Sequence, residues 1–194
     1  MAAASLFVVV ALAFAVPARS APDDWPDEAE RLARVLAVGP ASTIAEIGAG
    51  RGELSVEMAK RVPDGRVFST EIDRARISDI ERAVARADLH NVTVLEAGAR
   101  DSHLPDGCCD AVYMREVYHH FDDGAAMTAT IHRALKPGGL LAVIDYPERG
   151  PADGNCHCIA KKALVAQVTA QGFEVVDEQD RWSGIRYLVV FRKR

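Results

Sequence analysis

The chain has 194 residues, a formal charge of -5, 49% hydrophobic and 26% charged residues. Those values are ordinary for one globular domain with an ample core. No basic block is present, which argues against a nucleic-acid substrate, because phosphate neutralisation favours a basic face.

Residues 1–20 differ in character from the remainder of the chain. Positions 6–16 form an unbroken apolar run after Ala2-Ala3-Ala4-Ser5. The run is short for a membrane span and about right for a signal-peptide core, with Ala18-Arg19-Ser20 offering small residues for cleavage before Ala21. No Lys or Arg precedes it, while Arg19, Arg31 and Arg34 come after it. On the positive-inside rule, that asymmetry fits a short anchor holding the rest of the chain in the cytoplasm. Residues 1–20 therefore read as a signal-like segment that exports the domain or associates it with a membrane. The alternatives are a cytoplasmic-face anchor or a cytoplasmic protein. Residues 21–194 read as one domain.

Asp27 can cap a helix over 28–38 whose Leu32, Val35 and Leu36 share a face. A buried strand over 43–48 comes next. It runs into Gly48-Ala49-Gly50-Arg51-Gly52, and a helix over 53–62 starts at once. Glycine permits positive φ and lets a ligand press against bare backbone. The free N–H groups of the helix start suit a carboxylate or phosphate. A β-branched and aromatic strand over 66–71 ends in Glu71, 19 residues after Gly52. Asp73 is placed to cap a helix over 75–88 that carries Ile77, Ile80 and Val84. Strands over 92–96 and 110–115 come next, then a helix over 123–136. Lys136-Pro137-Gly138-Gly139 reverses the chain, since proline stops a helix and glycine permits the turn. A strand over 140–145, a helix over 159–171 and two closing strands, 173–176 and 187–191, complete the chain.

Alternating strands and helices imply a doubly wound α/β sheet, mostly parallel. Two terminal strands with no helix between them imply one antiparallel member. Ligands of such sheets sit beyond the carboxyl ends of the strands. Gly48 to Gly52, Glu71, 99–101, 115–120 and Asp145 all fall there.

A dinucleotide loop requires Gly-x-Gly-x-x-Gly; here the third glycine comes one residue early. The pattern Glu46-Ile47-Gly48-Ala49-Gly50-Arg51-Gly52 instead resembles the first motif of the class I S-adenosylmethionine (SAM)-dependent methyltransferases. Glu71, the segment Asp110-Ala111-Val112-Tyr113-Met114-Arg115-Glu116-Val117-Tyr118-His119-His120-Phe121 and the turn and strand from Leu135 to Asp145 resemble later motifs of that family, in family order. The resemblance covers about residues 27–194. It implies a Rossmann-like sheet of seven strands in order 3-2-1-4-5-7-6, the last antiparallel, with helices on both faces. It also implies methyl transfer from SAM to a small-molecule acceptor.

On the same resemblance, Glu46, Gly48, Ala49, Gly50 and Gly52 hold the methionine part, and the backbone near Arg115 faces the ammonium. Glu71, with Ile72 beside it, takes the ribose. The loop 98–101 takes the adenine. Many relatives carry Gly-Asp in that loop. Here Ala99 follows Gly98, leaving Asp101 or the Ala99 backbone to hold the adenine amine. His119 and His120 stand where the acceptor arrives, and either imidazole titrates in the range of a general base. Tyr118, Tyr146 and His157 fall on the substrate side. No metal is expected, although Cys156, His157 and Cys158 are side chains that bind soft metals or thiophilic substrates. A disulfide from Cys108 or Cys109 to Cys156 or Cys158 is excluded, because the strand between them spans about 20 Å. Trp25 and Trp182 read as packing residues. The competing readings are a SAM-binding scaffold without turnover and a nicotinamide-dependent oxidoreductase.

Overall fold

The computed structural model describes residues 24–147 and 158–194. The segment 1–20, Cys156 and His157 lie outside these.

A seven-stranded sheet carries the architecture, in the order β3-β2-β1-β4-β5-β7-β6. Its parallel core is β1 (Thr43–Ile47), β2 (Arg66–Glu71), β3 (Val92–Glu96), β4 (Cys109–Arg115) and β5 (Leu135–Asp145). β6 (Phe173–Ser183) and β7 (Arg186–Lys193) form a hairpin, and β7 runs antiparallel between β5 and β6. The helices α1 (Trp25–Val35), α2 (Glu53–Ala59), α3 (Arg74–Arg86), α4 (Gly124–Ala134) and α5 (Lys161–Thr169) cover both faces.

Alternate residues of each central strand face opposite cores. Ala45, Ile47, Val112, Met114, Leu141 and Val143 pack with α4 and α5 on one face. Ile44, Tyr113, Ala142 and Ile144 pack with α1 and α2 on the other. Burial on both faces explains why β1 reads as an apolar run without alternation.

Three boundaries differ from the sequence reading. α1 starts at Trp25, not Glu28, because Asp24 is the cap: its side chain accepts from the Asp27 N–H at 3.2 Å. Pro26 sits in the first turn, where its missing N–H costs nothing. α4 ends at Ala134, and β5 begins at Leu135 opposite Cys109. The next paired residues are Ala111 and Leu140, so the Lys-Pro-Gly-Gly turn is an outward bulge inside β5 rather than a linker before it. β6 continues through Ser183, so the expected loop shrinks to Gly184 and Ile185. Asp73 does cap α3, accepting from the Ala75 N–H at 2.8 Å.

Candidate functional site

At the carboxyl edge of the sheet, β1, β2, β3 and β4 open onto a cavity of about 650 Å³, within the range of small-ligand sites. The glycine loop forms one wall. Gly48, Gly50 and Gly52 all have positive φ, at 68°, 60° and 84°. A Cβ on Gly48 would lie 2.6 Å from the Val117 side chain, so that position is closed to any side chain. Gly50 has open space around it and borders the cavity. Gly52 does not border it: it is the N-cap of α2, and a Cβ there would press on Ile80 of α3 at 3.1 Å.

Two carboxylates fix the loop. Glu71 reaches from the end of β2, its Oε2 accepting from the Gly50 N–H at 2.9 Å. Its Oε1 accepts from the N–H groups of Ile72 and Asp73 at 2.8 and 3.2 Å. Glu46 is buried beneath the loop. It accepts from the Ser55 hydroxyl at 2.5 Å and from the Tyr113 hydroxyl at 3.3 Å, and Ser55 in turn meets Ser69 at 2.8 Å. Desolvation dominates over these bonds and over the Arg115 charge, so the Glu46 pKa is pushed up to about 8.

Of the residues expected at the site, Glu46, Gly48, Ala49, Gly50, Glu71, Ile72, Ala99, Arg115 and His120 border the cavity. Asp101 does not. Its carboxylate accepts from the His103 N–H at 2.9 Å and its carbonyl from Gly98, so it closes its own loop. Tyr118 is buried in the core, with its hydroxyl on Gln167 at 3.2 Å. Tyr146 lies outside the cavity beneath the Arg186 guanidinium, 5.0 Å from ring centre to Cζ.

The two histidines separate. His120 borders the cavity. His119 turns toward β5, its Nδ1 2.5 Å from Asp145 Oδ1. The two imidazoles touch, with centroids 4.1 Å apart. Asp145 is fully buried, and desolvation raises its pKa against the opposing pull of His119. The contact with Asp145 occupies His119 Nδ1 and fixes the ring, leaving Nε2 as the nitrogen not engaged by β5.

Sequence reasoning missed three contributors. Trp25 of α1 borders the cavity, so it is more than a packing residue. Trp182 is buried, as expected, but its indole N–H also donates to Glu28 Oε1 at 3.0 Å. Glu116 borders the cavity with φ at 58°, in the left-handed region that non-glycine residues avoid. The signals were thin: one tryptophan ahead of the first amphipathic helix, one in the expected C-terminal loop, and an acid inside the 115–120 segment expected at the sheet edge. Among the described residues, no group of three or more His, Cys, Asp or Glu is placed to hold a metal. Cys108 and Cys109 are free, whereas Cys158 is disulfide-bonded, a cross-link the sequence reading did not anticipate.

The strand order with its reversed β7, the glycine loop after β1 and the acid at the end of β2 together define the class I methyltransferase type of α/β fold. Residues 44–139 match the family model of a methyltransferase domain. The demethylmenaquinone methyltransferase of Listeria monocytogenes serotype 4a is 29% identical over 122 residues, 62% of this chain and 50% of that protein. The 27-O-demethylrifamycin SV methyltransferase of Amycolatopsis mediterranei is 30% identical over 118 residues, 60% of this chain and 43% of that one. The chain thus spans about half the length of the curated relatives it matches. Among solved structures, a SAM-dependent methyltransferase from Aquifex aeolicus superposes with a TM-score of 0.80 at 20% identity, covering 89% of this chain and 94% of that one.

The chain belongs to the class I SAM-dependent methyltransferase family, and SAM is the cofactor that goes with it. The cavity fits that cofactor. Besides Glu46, whose burial disfavours its charge, its wall carries five carboxylates, Glu53, Glu71, Asp73, Glu116 and Asp122, against the guanidiniums of Arg51, Arg76 and Arg115. A wall with this charge excess favours a cation. Ile72 exposes an apolar side chain at the rim, suited to a flat base.

Proposed function

We propose that the protein transfers a methyl group from SAM to a small-molecule acceptor. The observation that carries this reading is the acid-lined cavity against a loop closed to side chains at Gly48. When bound, SAM supplies a methyl group already activated by a positive sulfur. The protein's task is then alignment and, for some acceptors, removal of a proton.

Glu46 and the loop backbone hold the methionine part in this reading. Glu71 offers the ribose its remaining acceptor capacity: a carboxylate has about four lone-pair sites, and three backbone N–H groups use three of them. Gly52 supports the loop from behind, and Ala99 presents backbone to the adenine. His120 faces the acceptor. His119, oriented by Asp145, is the base, working through His120, which borders the cavity. Tyr118 and Tyr146 support the acceptor side from outside the cavity, with His157 assigned there by its place in sequence. The two relatives named above act on demethylmenaquinone and 27-O-demethylrifamycin SV, which favours a small-molecule acceptor here.

Calorimetry tests the cofactor assignment. The full chain should bind SAM, Gly48→Arg should not, and NADH should give no heat. Absence of SAM binding by the unaltered chain sinks the proposal. Incubation with labelled SAM and a cell extract should then transfer label to a metabolite. His119→Ala should lower turnover at least tenfold with SAM affinity unchanged, an expectation set by the usual range of acid–base contributions. We also propose that residues 1–20 direct the domain to or across a membrane. Cell fractionation with protease protection checks this; a wholly soluble cytoplasmic protein would refute it.

A further inference from the structure

We propose that Glu28 is a positioning residue for the amino-acid end of the cofactor, making α1 part of the cofactor site. The inference rests on the function proposed above. The matched methyltransferase domain begins at residue 44, so α1 lies outside it.

Glu28 is 3% exposed, on the face of α1 that also buries Ala29 and Leu32. A buried carboxylate without a partner costs several kcal/mol, so its partners decide what it is for. Both Glu28 oxygens lie 3.1 Å from Arg115 Nε, and Oε1 also accepts from the Trp182 indole N–H. α1 is pinned a second time at the same place. Arg31 donates to the Trp182 carbonyl, and its Cζ stands 4.1 Å above the Trp182 ring.

Arg115 carries this anchoring to the cavity. Its Cζ lies 4.7 Å above the Trp25 ring, and its NH1 meets the Glu116 carboxylate at 2.6 Å. Trp25, Arg115 and Glu116 all border the cavity. Glu116 keeps its left-handed backbone because three contacts hold it. These are Arg115, Arg186, and the bond from its own N–H to the Ile144 carbonyl at 2.8 Å. Such strain persists only where the surroundings over-determine it, and it gathers at ligand sites.

The placement selects the ligand group. Val117, next in the chain, packs against Gly48, so the Arg115–Glu116 pair abuts the glycine loop. A guanidinium beside a carboxylate complements an α-amino acid, carboxylate to Arg115 and ammonium to Glu116. An apolar residue at position 28 would leave the buried Trp182 indole N–H without this acceptor and would not fix the guanidinium.

The test uses the full chain and two non-reacting probes in calorimetry. S-Adenosylhomocysteine carries the amino-acid end; 5′-methylthioadenosine lacks it. Glu28→Gln keeps an acceptor for Trp182 and removes the charge facing Arg115. It should weaken S-adenosylhomocysteine about tenfold, and 5′-methylthioadenosine less than about twofold, the loss of one charged contact. Equal losses for both probes, or no loss, overturn the proposal. If the unaltered chain binds neither probe, the methyltransferase reading fails instead. Should Glu28→Gln fail to fold, Trp182→Phe leaves Trp25 as the sole tryptophan. Its emission should shift when S-adenosylhomocysteine binds and stay unchanged with 5′-methylthioadenosine. No shift on S-adenosylhomocysteine binding overturns the placement of α1 at that end.

Discussion

Glu46, proposed above to hold the methionine part, also carries a cost in stability. Its pKa stands near 8 in the folded protein because burial disfavours the charge. The unfolded chain releases that proton in the ordinary carboxylate range, so the folded state binds the extra proton between about pH 4.5 and 8. Stability from this group therefore falls as pH rises through that window, and the full penalty applies above it. Glu46→Gln should raise the melting temperature relative to the unaltered chain, little at pH 5 and most at pH 9, while weakening SAM binding. A difference that is flat or shrinks toward pH 9 contradicts this. The two cavity-lining glycines of the loop after β1 should also part company. Gly50→Ala meets no neighbour and costs only the left-handed conformation, about 1–2 kcal/mol. Gly48→Ala adds a collision with Val117 and should lose SAM binding outright, whereas Gly50→Ala retains part of it.

At the scale of elements, α1 is where reading and structure diverge most usefully. Its apolar face was legible, because Leu32 and Leu36 are indeed buried. Its start was not, because Asp24 and Asp27 are both good caps and only the fold selects Asp24. Asp24→Ala should cost about 1 kcal/mol of stability, measurable by denaturant unfolding. The strands of the sheet were legible, since β1, β2, β4 and β5 combine apolar runs with turn residues at their ends, but the early start of β5 and the full length of β6 were not. The same local signals place Glu71 and the loop, which lie where strands finish. They do not reveal Glu28–Arg115 or Glu116–Arg186, whose members stand 87 and 70 residues apart. Such pairs exist only once the sheet has assembled. The separation of the adjacent His119 and His120 has the same origin: Asp145 on β5 claims one ring and leaves the other at the cavity.

For the whole molecule, the cavity draws on β1, β2, β3, β4 and α1 at once, so occupancy should report on global stability. At a SAM concentration about 100 times Kd, binding should add about 2.7 kcal/mol, raising the melting temperature by roughly 5–10 °C. Glu28→Gln should shrink that increment without abolishing it. The position of β7 has a different consequence, one of time. β5 is made early but has no neighbour on its outer side until β7 exists; Leu140 pairs with Arg192. During synthesis the ribosome therefore displays a bare, apolar strand edge for some fifty residues, roughly 3–10 seconds of elongation. An edge of that kind invites pairing with other chains. The sheet thus closes in its interior last, and until then the nascent chain carries that edge unpaired.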